Sequence, residues 1–458
     1  MAGEYYHAGF KPVILTSDMP PTKLAQSAKL AITGGRALHG EVTVSGAKNA
    51  VTKLMMAALL TDDEVIINNC PMIDDVIVAG EIIQAVGGQV KFGDHSVRIK
   101  ADQLHAAAIP KPTIPNRLSV LALAPLLHRV GSADVPIVTG DKIGPRPVDF
   151  HLDLLRRMGA AIVEHNGRYI AKASGLKGIT IDLPYPSVGA TENALLASVL
   201  ATRRTTITGA AVEPQIVDLI KMLQQMGAII EFRANRMLII DGVKKLRGVN
   251  YSVMPDPLEV ASFGLAAIAT DGNVLVHGGR QDDMITFLNT LRRIGADYII
   301  EGDAIRFKRN GGQLKGVEIE TDPHPGFATD WQQPMVVLLT QSRGTSTVHE
   351  TVHESRFGYI DTLVRMGADI KVSTDCLGHL PCRYKGKGFM HSATITGPTP
   401  LHATTIEIPD LRAGMAHVIA AMVATGTSEI TGLGHLLRGY ENLFDKLKSI
   451  GAEFTLTD

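Results

Sequence analysis

The chain has 458 residues, enough for two or more domains with sizeable cores. Its formal net charge of −1 argues against a dedicated binder of nucleic acid or of membrane surfaces, although local basic clusters are compatible with it. The cysteines are Cys70, Cys376 and Cys382, an odd and sparse set that builds no disulfide framework, fits a reducing cytoplasm and shows no recognisable zinc spacing, so all three read as structural.

Residues 1–29 carry acids and prolines where a signal peptide needs a long apolar centre, and they read as an N-terminal extension. No apolar run further on reaches bilayer length. From there the chain repeats itself. An apolar residue, a glycine and a small residue recur together six times, as Val86-Gly87-Gly88, Met158-Gly159-Ala160, Met226-Gly227-Ala228, Ile294-Gly295-Ala296, Met366-Gly367-Ala368 and Ile450-Gly451-Ala452. A helical pattern precedes each phrase and strand-like residues follow, so the glycine reads as a helix stop. Every unit also holds an earlier Ala-rich helix, over 48–60, 116–130, 190–202, 257–270, 330–342 and 410–425. These are apolar on most sides and are therefore expected inside. One Gly-Ala after a helix is commonplace; six, each paired with a second shared helix, are not. The unit reads β-α-β-α-β-β, and six copies suit two groups of three that each pack their buried helices together. The break falls at 253–257.

The second unit contains the loop Thr139-Gly140-Asp141-Lys142-Ile143-Gly144-Pro145-Arg146-Pro147-Val148-Asp149, followed at once by a helix over 150–158. Its glycines let backbone approach a ligand and its prolines stiffen it. Elsewhere the polar residues gather at helix starts. Lys48 and Asn49 open the first Ala-rich helix, Arg117 the second, Ser187-Val188-Gly189 the third, Thr329-Asp330 the fifth and Asp410-Leu411-Arg412 the sixth. The second helices add Arg146, Arg356 and Arg438. Any one of these is ordinary, because an Arg near a helix start is usually a solvated side chain and an Asp there is usually a cap. Together they are less ordinary, since cations oppose the dipole at a helix N-terminus unless an anion sits between. Several Arg with one Lys point to a ligand carrying both phosphate and carboxylate. Asp141 and Asp330 are then the candidate proton-transfer groups. No metal motif is visible, neither His-Glu-x-x-His nor paired Cys-x-x-Cys, and no Walker A loop.

These residues resemble the enolpyruvyl transferases, on their bacterial cell-wall branch, from about residue 30 to the C-terminus. The carriers are Ser45-Gly46-Ala47-Lys48-Asn49-Ala50, the 143–149 loop, Ser187-Val188-Gly189-Ala190-Thr191, Pro323-His324-Pro325 with Thr329-Asp330, Asp410-Leu411-Arg412-Ala413 and Arg438-Gly439-Tyr440-Glu441. The resemblance implies an α/β fold of two inside-out barrels, each of three repeated units around buried helices. Domain two would comprise 30–47 plus 256–458, and domain one 48–255. It implies transfer of an enolpyruvyl group from phosphoenolpyruvate to the 3-hydroxyl of UDP-N-acetylglucosamine in the cytoplasm, without cofactor or metal. Lys48, Arg146 and Arg438 would hold the phosphate; Arg356 and Arg412 the carboxylate. Asn49, Arg117, Thr329, Asp330 and Val352 would line the sugar-nucleotide side. Arg146, Pro147, Val148, Asp149 and Phe150 would contact the uracil, and Ser187, Val188 and Gly189 the diphosphate. Asp330 would be the base, with Asp141, Lys48 and Arg412 the other catalytic groups. Other acceptors, including another nucleotide or sugar hydroxyl, and a non-catalytic nucleotide-sugar-binding role are the competing readings.

Three positions depart from the family pattern. Asp141 stands where a cysteine is usual, although aspartate occurs there in some members. Tyr185 stands where a lysine near the diphosphate is common, and Pro145 replaces a small residue.

Overall fold

The computed structural model describes residues 28–114, 116–137, 147–309 and 311–457, with the side chain of Arg412 outside that description. Asp141 and Arg146 lie outside the described residues, and the loop singled out above is described only from Pro147 onward.

The Ala-rich stretches are the helices Lys48–Ala57, Leu123–Arg129, Val188–Ser198, Pro257–Ala269, Gln332–Thr340 and Leu411–Val423. Short 3-10 turns extend three of them, at Ala58–Leu60, Leu118–Ala122 and Thr329–Trp331. In Pro257–Ala269 every residue after the proline is buried, as an all-round apolar helix requires. The repeat glycines all lie in the left-handed region, with φ between 79° and 109°. In each unit the amide of the residue after the glycine reaches back to a carbonyl of the helix, as from Ala160 to Leu155 and from Ala452 to Leu447, both at 3.0 Å. This closure satisfies an orphan carbonyl at the helix end, and only glycine enters it without strain.

The strands form mixed sheets, five of four strands and one of three among the described residues. A representative order is Ile229–Arg233, Met237–Asp241, Arg204–Thr208, Thr180–Asp182, with antiparallel pairs first and one parallel pair last. In the three-stranded sheet the parallel strand has shrunk to a bridge between Ala108 and Asp134. Burial alternates along the strands. In Ser96–Lys100, Val97 and Ile99 face inward while Arg98 faces water, the pattern of a sheet covered on one side only.

Two strand exchanges decide how the units group. The strand preceding the first buried helix, His39–Thr43, pairs in parallel with Asn273–His277. The strand preceding the fourth, Asn250–Ser252, pairs in parallel with Val65–Asn68. The chain thus crosses over and returns. Its two crossing segments touch, with the Ala47 amide on the Met254 carbonyl at 2.8 Å and the Asp256 amide on that of Ser45 at 2.9 Å. The Asp256 carboxylate accepts from the amides of Leu258 at 2.8 Å and Lys48 at 3.2 Å, so one side chain caps the fourth and the first buried helix together. Lys29–Thr33 pairs with both Thr427–Thr431 and Glu453–Thr457, which places it in the last sheet.

Buried apolar side chains fall into two clusters, one drawn from 47–254 and the other from 30–44 together with 258–450. In the second, helices Pro257–Ala269, Gln332–Thr340 and Leu411–Val423 pack against one another.

Candidate active site

A cleft of about 560 Å³ is lined by residues from both cores. At its floor the Lys48 ammonium sits 2.7 Å from one oxygen of Asp75, and Arg438 donates to the other at 3.1 Å. Lys48 and Asp75 belong to the first group of units and Arg438 to the second. Burial pushes the Asp75 carboxyl up, but Lys48 and then Arg438 outweigh it and hold the group well below the usual carboxylate range. Two cations are thereby fixed around one anion.

A second contact across the cleft involves Asp330. Asn49 donates to one of its oxygens at 3.3 Å and Arg356 to the other at 2.5 Å. The Arg356 side chain is almost wholly buried. Behind it lies the buried carboxylate of Glu350, which accepts from the Thr329 hydroxyl at 2.9 Å and from the amides of Val352 and His353 at 2.8 and 2.9 Å. Burial raises the Glu350 pKa, and Arg356 opposes that shift.

Arg117, Pro147, Asp149 and Phe150 line the cleft, and the Arg117 guanidinium donates to the Pro147 carbonyl at 3.1 Å. Val148 does not line it; it packs against the first core. The reason is local. Val148 immediately precedes the helix Asp149–Arg157, and an apolar side chain there is turned inward while its neighbours face the opening. Ser187, Val188 and Gly189 reach the cleft at the start of helix Val188–Ser198, where the Ser187 hydroxyl caps the amide of Ala190 at 3.4 Å. A Cβ at Gly189 would meet the His151 ring at 3.0 Å. Thr329 and Val352 also line the cleft.

Two residues are held differently from the sequence expectation. Arg356 lies ahead of its helix, Ile360–Arg365, and Arg438 follows helix Leu433–Leu437 rather than opening one. Asn442, at φ 50°, caps a separate helix Leu443–Ser449. Carboxylates hold both guanidiniums in place. Arg412 stands in the first turn of helix Leu411–Val423.

The family model for EPSP synthase (3-phosphoshikimate 1-carboxyvinyltransferase) matches residues 32–447. The chain belongs to this enolpyruvyl (carboxyvinyl) transferase family. It is 47% identical over 438 residues to the UDP-N-acetylglucosamine 1-carboxyvinyltransferase of Protochlamydia amoebophila, covering 94% of each chain. To that of Thermotoga maritima it is 37% identical, over 93% of this chain and 98% of the relative. Among solved structures, the enolpyruvyl transferase NikO from Streptomyces tendae matches with a TM-score of 0.82 and 25% identity, over 94% of this chain and 99% of its own. EPSP synthase from Acinetobacter baumannii matches with a TM-score of 0.74 and 20% identity, over 94% of this chain and all of its own, a likeness of fold alone.

Sequence reasoning missed several residues of this enolpyruvyl transferase cleft. Asp75 sits inside the apolar-looking run before Val76, and nothing in that run marks it as the partner of two cations. Glu350 is a strand-end acid that binds the amides of Val352 and His353 beside it and the Thr329 hydroxyl from an earlier segment, and nothing in its sequence setting marks that role. Arg383 stacks on the Tyr185 ring at 4.2 Å, and both residues line the cleft. Arg383 lies in the 374–391 connection, which has no counterpart in the repeat, so its position could not be inferred by analogy between units.

Proposed function

We propose that this chain transfers the enolpyruvyl group of phosphoenolpyruvate to the 3-hydroxyl of UDP-N-acetylglucosamine, with release of phosphate, in the cytoplasmic stage of peptidoglycan synthesis. The observation that carries the reading is the pair of contacts across the cleft, Lys48–Asp75–Arg438 and Asn49–Asp330–Arg356, in a chain whose curated relatives bear that activity in their names.

In this reading Lys48 and Arg438, with Arg146, receive the phosphate of phosphoenolpyruvate, while Arg356 and Arg412 receive its carboxylate. Asp330 takes the proton of the acceptor hydroxyl. The freed oxygen bonds to the central enol carbon as the methylene carbon gains a proton from an acid, a role assigned to Asp141. The tetrahedral adduct then loses phosphate together with a proton of the methyl group so formed, restoring the double bond. Fixed guanidinium and ammonium groups stabilise the developing charge without a reorganisation cost. Arg117, Pro147, Asp149 and Phe150 would face the uracil side, Ser187 to Gly189 the diphosphate, and Thr329 and Val352 the sugar. Arg383, stacked on Tyr185, would supply a cation near the position where the family often has a lysine.

We assign residues 30–47 and 256–458 to one domain and 48–255 to the other, each an inside-out α/β barrel of three units, with residues 1–29 an added extension. The two separate apolar clusters and the two strand exchanges support that division. No helix among the described residues is long and apolar enough to cross a membrane.

The test is phosphate release from phosphoenolpyruvate with and without UDP-N-acetylglucosamine. Release that requires this acceptor is the expected result. Tyr185 favours a second reading, the same reaction with another nucleotide or sugar hydroxyl; release with UMP but not with UDP-N-acetylglucosamine would establish it. Nucleotide-sugar binding without release from any acceptor would identify a non-catalytic paralogue.

A further inference from the structure

The strands Asp369–Ser373 and Ser392–Gly397 are joined by residues 374–391, whereas the corresponding hairpins close through short turns, as between Gln89–Gly93 and Ser96–Lys100. This long connection contains no helix or strand. A segment of that kind has little core of its own and needs a staple. Cys376 and Cys382 lie within it. His391 ends it, and His349 comes from the adjacent strand Gly344–His349. The ligand atoms of these four side chains all lie within 4.8 Å of one another.

The hydrogen bonds around the cluster aim it. The Nδ1 of His391 is 2.7 Å from the Phe389 carbonyl, which can only accept, so that nitrogen carries the proton and Nε2 presents its lone pair. The Nδ1 of His349 is likewise 3.1 Å from a Glu320 oxygen. Both imidazoles are 1% exposed, and the Nε2 of His349 is buried with no hydrogen-bond partner. An imidazole fixed through Nδ1 to a carboxylate or carbonyl, with Nε2 left over, is the arrangement that metal-binding histidines use. The Nε2 of His391 is 3.5 Å from the Cys376 sulfur. Ligands at about 2.0 and 2.3 Å from one tetrahedral ion would be about 3.5 Å apart. The chain also comes close here, since a Cβ at Gly378 would lie 2.2 Å from the Nδ1 of His349.

We propose that His349, Cys376, Cys382 and His391 bind one structural Zn²⁺ ion, which pins the 374–391 connection to its sheet and thereby presents Arg383 to the cleft. Two thiolates balance the ionic charge and two neutral imidazoles complete a closed tetrahedral set, with Glu320 orienting His349. Binding releases the two thiol protons. No position is left for substrate, so the ion organises the protein and takes no part in the chemistry. The link to Arg383 runs through the connection itself, where the Tyr384 hydroxyl donates to the Val352 carbonyl at 2.7 Å and Arg383 stacks on Tyr185. Only this last consequence rests on the proposed reaction.

The experiment is metal analysis of the full chain purified under reducing conditions without chelator. About one zinc per chain is expected, falling to background in Cys376→Ser and Cys382→Ser. Should those variants fail to fold, cobalt substitution of the unaltered protein gives the answer, through the intense visible absorption and sulfur-to-cobalt charge transfer of a tetrahedral thiolate site. Trypsin should cut after Arg383, Lys385 or Lys387 only once the metal has been chelated. Chelation should also raise KM for the nucleotide-sugar acceptor more than KM for phosphoenolpyruvate. Zinc below about a tenth of an equivalent after incubation with excess metal, together with no cobalt spectrum, overturns the assignment. So does full zinc retention by both folded cysteine variants. Absence of all phosphate release would remove the proposed reaction but leave the metal result standing.

Discussion

Asp75 sits between two cations, Lys48 and Arg438, that reach it from distant parts of the chain. Removing it leaves Lys48 and Arg438 as close, poorly solvated cations. Asp75→Asn is therefore expected to cost about 3 kcal/mol of stability. Added phosphate should recover more stability in this variant than in the unaltered protein, because an anion would replace the lost carboxylate. Urea unfolding with and without phosphate reads this directly, and equal recovery in both proteins would contradict it. Asp330→Asn keeps the shape of the site but removes the proposed base, so kcat should fall by about 10²-fold or more while KM for phosphoenolpyruvate changes little. At Asp141 the missing thiol predicts that epoxides directed at a cysteine in this loop will leave it unmodified; mass spectrometry showing an adduct on Asp141 would contradict that.

Among the elements, the helix stops are the most demanding positions. Gly227 adopts φ 104° with nothing within 4 Å of where a Cβ would stand. Gly227→Ala therefore meets no clash, and its whole cost is the left-handed backbone, about 1 kcal/mol. Denaturant unfolding should show that loss with kcat unchanged, since the position lies away from the cleft. The same geometry explains why the repeat was legible. A glycine requirement leaves a mark in sequence, as does an all-round apolar helix. A carboxylate that neutralises a distant arginine leaves no such mark, and neither do four metal-site candidates divided between the end of one strand and the 374–391 connection. Spacing alone made Cys376 and Cys382 look unrelated to zinc because His349 and His391 arrive through strand pairing.

Across the whole molecule, buried titratable groups tie stability to pH in opposing senses. Burial, with a smaller effect of Arg117, holds His151 down to about 3, and burial holds His417 down to about 4, against an ordinary value of 6.5. Between those values the unfolded chain binds more protons than the native one. The histidine contribution is thus complete above pH 6.5 and is lost as pH falls, by up to about 1.4 kcal/mol per unit for each group. Glu192 and Glu259, pushed up to about 7 chiefly by burial, act in the opposite sense and lose stability as pH rises from 4.5 toward 7. The useful readout is therefore a difference. His417→Leu should lose less stability than the unaltered protein between pH 6.5 and 5, measured by denaturant midpoints; parallel curves would exclude His417 as a contributor.

Local demands of the backbone and of burial are written in a few adjacent residues, and for that reason the sequence by itself determined the repeat, the six buried helices, the glycine stops of the second helices and part of the cleft lining. Lys48, Asn49, Ser187, Thr329 and Asp330 were legible because helix starts aim at a common opening. What the tertiary structure decided was partnership. Only folding could show that Asp75 joins Lys48 to Arg438, that Val148 turns into the core, that Arg383 lies on Tyr185, and that two cysteines meet two histidines. The physical reason is range. Dihedral preference and hydrophobic period act over a few residues, whereas charge pairing and metal-ligand geometry act through space between segments whose separation along the chain carries no information about their distance.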